Sequence, residues 1–334
     1  MRTTFWKFLT AAGALCSLAV LCAGASEIDD QLTARRRVLK NIGPGLRVIK
    51  VGPDGKYYVL ASPGLLIFDP QWKQIGAIGG PPPEGVSDKS ARADILLGED
   101  CDVDAQGNVF VADRGHNLVT LFSPEGKSLR SISVSGPVSL AALPEGEVAV
   151  STLRDPHLVT VYGANGKIAR EFGDPEAISS RDDLNRYLSL GRLNSDPQGH
   201  IYYGYTYLPE PLVRRYDRFG YASLDFEFTG LDAYPEAQAA RKELEKQEKK
   251  PGPPVFRPIL TAFGVDRVNG DLWMVLHNTL LHFDKEGNRR SEYQLLTSDG
   301  ARLDANTILV EEERLLVGAD PQGVYEFQRP DRKH

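Results

Sequence analysis

The chain has 334 residues, of which 41% are hydrophobic and 25% are charged, a composition typical of a globular protein. Its formal net charge is −6 at pH 7, and its one basic run, residues 35–37, is short, so the sequence argues against a nucleic-acid-binding protein. The 32 glycines and 22 prolines interrupt apolar runs and therefore indicate a fold with many turns.

The N-terminal segment is typical of a cleaved signal peptide. Arg2 and Lys7 form a basic start, residues 8–21 form an apolar run, and residues 23–25 fit an A-x-A cleavage site. The apolar run is shorter than the ~20 residues that cross a bilayer, so we expect cleavage after residue 25 and no transmembrane anchor. The mature protein is therefore predicted to be exported, either to a periplasm or to the extracellular space.

The cysteines agree with this interpretation. Cys16 and Cys22 are predicted to leave with the signal peptide, and a lipid anchor on Cys22 is disfavoured because the bulky Leu21 precedes it. Cys101 then remains alone in an apolar strand, where a small buried hydrophobe is expected instead of a disulfide. Since cleavage removes Arg2 and Lys7, the formal net charge changes from −6 to −8.

After this segment, six stretches of the chain repeat one pattern of short apolar runs separated by tight polar turns. In chain order they cover residues 48–78, 101–134, 140–172, 196–228, 263–296 and 307–327. Runs of about five residues, rich in β-branched and aromatic side chains and bounded by Gly, Pro, Asn or Asp, predict β-strands. Four such strands cannot bury a core alone, so the repeats are expected to pack against one another.

The second stretch, residues 101–134, shows the pattern most clearly. Its strands are separated by turns in which Gly107 and Gly126 stand where a hairpin needs a positive φ. Residues 108–127 of this stretch resemble the NHL repeat of six-bladed β-propellers. The resemblance is weaker in the other stretches but covers nearly all of the predicted mature chain. It implies four-stranded antiparallel blades arranged radially about a central channel.

The sixth stretch supplies only three strands. The ring is therefore expected to close with a strand from the other end of the chain, and residues 37–42 are predicted to pair with the blade that holds residues 315–327. The predicted fold is thus all-β: a six-bladed β-propeller whose last blade is closed by an N-terminal strand, with one helical insertion. A Greek-key sandwich is the alternative, but it gives no reason for repeated four-strand units.

Three long insertions occur at one kind of junction. We label the strands of a blade A to D, with A innermost, so that A–B and C–D turns share one rim and B–C and D–A connections share the other. Residues 79–98, 173–191 and 230–260 all lie at D–A junctions, which places them on one face, called here the insertion face; the opposite rim is the counter face. The first insertion contains the proline run 81–83 and is predicted to be irregular. The third is predicted to be helical, because Pro235 suits the first turn of a helix and residues 251–254 end it.

The predicted domain organisation follows from these elements. Residues 1–25 are the signal peptide, residues 26–34 a flexible N-terminal segment, residues 35–329 a single propeller, and residues 330–334 a tail. The helix of the third insertion has a narrow apolar stripe, so a solvated decoration and a partner-binding helix both remain open at this stage.

Candidate functional residues come from the B–C loops, which share the insertion face. They are Arg114, His116, Asn117, Arg154, His157, Tyr205, Tyr207, His277 and Asn278. The three histidines could converge on a metal ion, but they are not in register between blades, so no metal ligand is assigned. Turn hydrogen bonds are the alternative role for His116 and Asn117, with Asp113 capping its loop through backbone N–H groups. Packing between blades is the favoured role of the tyrosines.

The sequence contains no G-x-S-x-G, P-loop, H-E-x-x-H or C-x-x-C motif. The prediction is therefore an exported, non-enzymatic propeller without a cofactor that binds a protein, peptide or glycan on the insertion face. The alternative is implied by the resemblance, because related propellers include lyases and lactonases. It is a metal-dependent lactonase-type hydrolase or lyase with its site at the channel mouth.

Overall fold

The computed structural model describes residues 30–40, 42, 45–62, 64–79, 95–228, 234–253 and 255–332. In this part of the chain six antiparallel sheets form the six blades of a β-propeller. The predicted signal peptide and the proline run 81–83 lie outside the described residues.

The first half of the ring contains two N-terminal strands and three blades. The N-terminal strands are β1 (Asp30–Thr33) and β2 (Arg36–Leu39). Blade 1 consists of β3 (Val48–Val51), β4 (Tyr57–Ala61), β5 (Gly64–Phe68) and β6 (Gln74–Ile78). Blade 2 consists of β7 (Gly98–Val103), β8 (Val109–Asp113), β9 (Leu118–Phe122) and β10 (Ser128–Ser133). Blade 3 consists of β11 (Pro137–Ala142), β12 (Val148–Thr152), β13 (Val159–Tyr162) and β14 (Ile168–Phe172).

The second half contains both described α-helices. Helix α1 (Asp182–Leu188) precedes blade 4, which consists of β15 (Gly191–Ser195), β16 (Ile201–Tyr205), β17 (Leu212–Tyr216) and β18 (Ala222–Glu227). Helix α2 (Pro235–Lys249) precedes blade 5, which consists of β19 (Ala262–Val265), β20 (Leu272–Leu276), β21 (Thr279–Phe283) and β22 (Arg289–Leu296). Blade 6 contributes β23 (Thr307–Val310), β24 (Arg314–Ala319) and β25 (Gly323–Gln328).

Burial follows the position of a strand within its blade. The first strand of each blade contacts the first strands of the neighbouring blades, so these six strands surround the central channel. The second strands are covered on both faces by adjacent blades; every residue of β4, β8, β12, β16 and β20 is buried. The outer strands expose one face, as in β14. The core is therefore a series of apolar layers between blades.

Blade 6 is closed by the N-terminal strand, as predicted. Strand β2 pairs antiparallel with β25, placing Arg36 opposite Glu326 and Leu39 opposite Val324. The ion pair between Arg36 Nη2 and Glu326 Oε2, at 2.9 Å, lies across the same pair of strands. The closing strand thus joins parts of the sequence that are 290 residues apart.

The flexible segment predicted over residues 26–34 is corrected in its second half. Residues 30–33 form β1, which adds a fifth, parallel strand to the outer edge of blade 5. The physical reason is that β22 is eight residues long and offers a free edge, while Ala34 is buried and Leu32 packs against the apolar layer between blades 5 and 6. The N-terminal segment therefore contributes to two blades.

The turns between third and fourth strands approach the preceding blade closely. Gly126, Gly166, Gly220 and Gly287 occupy one equivalent position with positive φ. A Cβ at Gly220 would lie inside van der Waals contact of Phe172 in the outer strand of blade 3, so this turn requires glycine. Blade 1 differs, because Trp72 occupies the equivalent position with φ 65°. Its ring stacks on Tyr57 with centroids 4.3 Å apart and fills the layer between blades 6 and 1.

The described parts of the second and third insertions pack against each other on the insertion face. Helix α2 buries Ala237 and Ala240 against the large apolar cluster of blades 3 to 5. Arg181 Nη1 donates to the Gln247 carbonyl oxygen at 3.0 Å, and Ser179 Oγ donates to Glu248 Oε1 at 2.9 Å. The predicted helix is confirmed, and it is docked on the propeller. Among the described residues, no helix is both long and apolar enough to cross a membrane.

Candidate functional site

The blade 2 loop that carries three of the candidate residues is organised by Asp113. Its buried carboxylate accepts hydrogen bonds from the N–H groups of Leu96, at 3.0 Å, and Leu97, at 2.9 Å. It also accepts a hydrogen bond from the Gly115 N–H, and His116 Nδ1 lies 2.6 Å from its Oδ2. Burial alone raises the pKa of Asp113, but these hydrogen bonds outweigh it and hold the pKa below its usual value. Asp113 therefore caps its loop through backbone N–H groups, as the sequence suggested.

Asn117 and Asn278 bond neighbouring parts of the propeller. Asn117 has φ 56°, and its Oδ1 accepts a hydrogen bond from the Gly136 N–H at 2.8 Å, tying blade 2 to blade 3. Asn278 Nδ2 donates to Gln294 Oε1 in the neighbouring strand. Asparagine tolerates the left-handed region because its side chain bonds locally. Both residues therefore act in the B–C loops as structural groups.

The three candidate histidines do not converge. His116 bonds Asp113, His157 Nδ1 lies 3.7 Å from Asp174 Oδ1, and His277 Nε2 lies 3.1 Å from the Pro258 carbonyl oxygen. His116 thus contacts its own loop, whereas His157 and His277 contact the second and third insertions. Within the described residues, none of the three belongs to a group of side chains able to share a metal ion.

Tyr205 is fully buried, and its hydroxyl is used inside the protein. It donates to Glu176 Oε1 at 3.0 Å and accepts from Arg214 Nη1 at 3.3 Å. Arg214 in turn holds Asp225 through two bonds of 2.7 Å and Glu176 through one of 2.5 Å. This network fixes the second insertion to blade 4 and leaves Tyr205 no surface for a ligand. Packing between blades, the role favoured from the sequence, therefore explains why Tyr205 is buried.

Tyr207, in contrast, lies at the insertion-face mouth of the channel. Its ring is half-buried and packs on Tyr187, with centroids 5.2 Å apart. Burial raises the pKa of Tyr207, and the neighbouring Tyr187 raises it further. Among the described residues, the hydroxyls of Tyr187 and Tyr207 have no hydrogen-bond partner.

Arginines from three blades surround this mouth. Arg114 Nε donates to Glu99 Oε1 at 2.7 Å, and Arg47 Nη1 lies 3.8 Å from Glu99 Oε2. Arg192, near the start of the inner strand β15, makes neither a side-chain hydrogen bond nor an ion pair within the described ranges, although it is half-buried. Arg154, another candidate, is exposed and does not line the channel. We call Arg47, Glu99, Arg114, Tyr187, Arg192 and Tyr207 the mouth cluster.

Below the mouth cluster the channel is polar and charged. A cavity of about 30 Å³, room for a water molecule, is lined by groups that include Arg47, Lys50, Asp100 and Arg192. Lys50 Nζ lies 3.4 Å from Asp102 Oδ1. Burial disfavours the charged ammonium, but Asp102 and Asp100 overcome this and raise the pKa of Lys50. Burial raises the pKa of Asp100, against the opposing effect of Lys50. The mouth and upper channel thus combine four cations with three carboxylates in a protein whose net charge is negative.

Sequence reasoning found Arg114 and Tyr207 in this cluster but missed Arg47, Glu99, Tyr187 and Arg192. Arg47, Glu99 and Arg192 stand at the starts of inner strands, positions that were treated as architecture. A usable signal was present: charged residues at the start of three inner strands must face the channel axis or its mouth, because the opposite side of each strand packs between blades.

Comparison with known proteins supports the fold. No family model and no curated protein sequence matches the chain. A streptogramin B lyase structure superposes with a TM-score of 0.53 at 14% identity, over 88% of this chain and 86% of the other. A catalytically inactive variant of virginiamycin B lyase from Staphylococcus aureus, with quinupristin, gives 0.50 at 11% identity, over 88% and 87%. Identities this low show the propeller fold alone, and the resemblance to NHL repeats still rests on the sequence motif.

We expect Asp113→Asn to lower the free energy of unfolding by about 1–3 kcal/mol, because an amide cannot accept every hydrogen bond that the buried carboxylate accepts. Urea unfolding at pH 7 measures the change, with Asp155→Asn in the next blade as the control. Since the folded-state pKa of Asp113 is lowered, its ionised form stabilises the fold above its ordinary pKa, and this stability is lost as pH falls through the lowered value. An equal loss in both variants at pH 7 contradicts the role of Asp113.

Proposed function

We propose that this protein is an exported, non-enzymatic binding propeller that holds an anionic ligand or partner at the mouth cluster. The observation that carries the proposal is that the guanidinium of Arg192 and the hydroxyls of Tyr187 and Tyr207 lie at one mouth of the channel and have no hydrogen-bond partner among the described residues. All three are half-buried, and the described residues offer their donors no acceptor. Because these donors reach solvent at the mouth and are not engaged inside the protein, they are free to bond an acceptor supplied by a ligand.

The charges support an anion. Arginine presents a planar set of donors that matches a carboxylate or phosphate, and Glu99, the nearby carboxylate, is already engaged by Arg114. The rings of Tyr187 and Tyr207 add an apolar wall beside these donors, which suits a side chain or a sugar ring. An acidic peptide or an acidic glycan fits this arrangement. Export through the predicted signal peptide remains part of the proposal.

The test uses a fluorescein-labelled peptide of ten alternating Asp and Gly residues, measured by fluorescence anisotropy at low salt against an Asn-Gly peptide of the same length. We expect the acidic peptide alone to bind, and Arg192→Ala to weaken it by about 10–100-fold, as loss of a charged hydrogen bond predicts. Arg218→Ala is the matched control, because Arg218 is an exposed arginine on the counter face. Equal losses in both variants, or no binding of the acidic peptide, would overturn the proposal.

A lyase or lactonase-type hydrolase is the second candidate. The observation in its favour is that the two superposed structures are lyases. Incubation of the purified protein with quinupristin and Mg²⁺ or Ca²⁺, followed by mass spectrometry, tests it directly. Catalytic loss of the intact compound, abolished by a chelator, would replace the binding proposal; persistence of the compound favours the binding protein.

A further inference from the structure

A second group of polar side chains lies on the counter face, at the seam between blades 5 and 6. Asp271 precedes β20, His282 lies near the end of β21, and Asp331 follows β25. His282 Nε2 is 3.0 Å from Asp271 Oδ2, and one ligand atom from each of the three residues lies within 4.8 Å of the other two. Among the described residues, this is the one group of three His, Cys, Asp or Glu side chains with such spacing.

Each of the three side chains is oriented by a neighbour that is not itself a potential ligand. The His282 ring is buried and stacks on Trp273, with centroids 4.1 Å apart and planes 8° from parallel. Asn269 Nδ2 donates to Asp271 Oδ2 at 2.9 Å. Arg329 holds Asp331 through bonds of 3.0 and 2.6 Å. Such partners hold metal ligands in place in known sites, and here they fix the group before any ion binds.

The balance of charge at this seam favours a cation. Three carboxylates meet here, Asp266, Asp271 and Asp331, against two arginines, Arg329 and Arg332. Asp266 is engaged by Arg329 at 2.6 Å and by Arg332 at 3.7 Å, whereas Asp271 has no arginine or lysine within ion-pair distance among the described residues.

We propose that Asp271, His282 and Asp331 form a binding site for a divalent transition-metal ion of the Zn²⁺ class. An imidazole nitrogen with two carboxylates suits Zn²⁺ and its neighbours, whereas Ca²⁺ and Mg²⁺ prefer oxygen ligands alone. Three protein ligands leave a coordination position for water. Because two ligands belong to blade 5 and Asp331 follows blade 6, the ion links the two blades across the seam. This site is separate from the mouth cluster and does not rest on the proposed function.

The experiment titrates the full mature chain, stripped with a chelator, with ZnCl₂ in a calorimeter. We expect one equivalent to bind and thermal unfolding to shift to higher temperature, since a ligand that binds the folded state stabilises it. His282→Gln should weaken binding by more than about 100-fold, beyond the 10–100-fold typical of losing an outer-shell partner. The absorption bands of Co²⁺ in place of Zn²⁺ report the coordination directly.

Two further variants keep the test decisive. His200→Gln is the matched control, because His200 forms the same kind of pair with Asp196, at 2.7 Å, without a third ligand among the described residues. Asp331→Asn serves if His282→Gln does not fold; because Asp331 also pairs with the buried Arg329, the melting temperature of the metal-free variant is measured alongside its Zn²⁺ affinity. Retained Zn²⁺ affinity in Asp331→Asn, or an equal loss in His200→Gln, would overturn the proposed site, and MgCl₂ should not compete.

Discussion

Arg329→Ala is expected to lower the free energy of unfolding by about 3–5 kcal/mol, the range for breaking a buried ion pair. Arg329 is completely buried at the seam between blades 5 and 6. Its Nη1 donates to Asp266 Oδ2 at 2.6 Å and to the Glu311 carbonyl oxygen at 3.0 Å, and its guanidinium lies over the Trp273 ring. Truncation leaves the buried Asp266 carboxylate with one distant arginine and opens a cavity beside Trp273.

Urea unfolding of the two proteins measures this loss. Arg302→Ala is the matched control, because the Arg302–Asp304 pair is more than half exposed on both sides and should change stability by less than about 1 kcal/mol. The double variant Asp266→Asn, Arg329→Ala should recover part of the loss, since it removes the uncompensated charge. A loss below about 1 kcal/mol in Arg329→Ala contradicts a stabilising role for this buried arginine.

Deletion of residues 30–40 is expected to abolish the soluble folded monomer. The deletion uncovers the edge of β25, which β2 covers in the structure, and it removes Leu39 from the apolar layer between blades 6 and 1. An uncovered apolar edge promotes pairing between chains. Because a domain has only about 5–15 kcal/mol of net stability, the loss of a whole strand pair is severe. Size-exclusion chromatography and circular dichroism detect the change.

A rearranged chain provides the control for this deletion. Strand β2 runs antiparallel to β25 and occupies the place that the fourth strand has in other blades, where a short turn on the counter face makes the connection. Residues 35–40 appended after residue 332 through a short Gly-containing linker should therefore restore the monomer to the deleted chain. A deleted chain that elutes and melts like the parent would show that blade 6 does not need its fourth strand.

Most of the architecture could be predicted from the sequence, because each repeated strand and turn has a recognisable pattern of neighbouring residues. The turn glycines, such as Gly107 and Gly126, are required by backbone geometry alone, and the three-strand sixth repeat left one partner to be found. The parallel strand β1 was missed, since its short polar sequence has no strand periodicity. It is ordered by the free edge of β22, which lies far away in the chain.

The functional residues were harder to predict for a related reason. Asp113 was correctly predicted as a capping group, because Gly115 and His116 are close in sequence. Its bonds to Leu96 and Leu97, in contrast, come from a segment 17 and 16 residues away and were not predicted. The mouth cluster, however, draws mainly on the starts of inner strands in three blades, and Arg192 comes to line the same cavity as Arg47 only after the ring has formed. The loop histidines were candidates because imidazole can bind metal ions, yet His116 contacts Asp113 in its own loop and His277 contacts Pro258 in the third insertion.

Trp72, the residue that replaces a turn glycine in blade 1, provides an optical signal. The sequence has three tryptophans, and only Trp72 and Trp273 remain if residues 1–25 are removed. Trp72 packs in the layer between blades 6 and 1, and Trp273 in the layer between blades 5 and 6. Both of these tryptophans therefore flank the blade that closes the ring. Intrinsic emission, compared between Trp72→Phe and Trp273→Phe, can time the docking of each side of that blade during refolding.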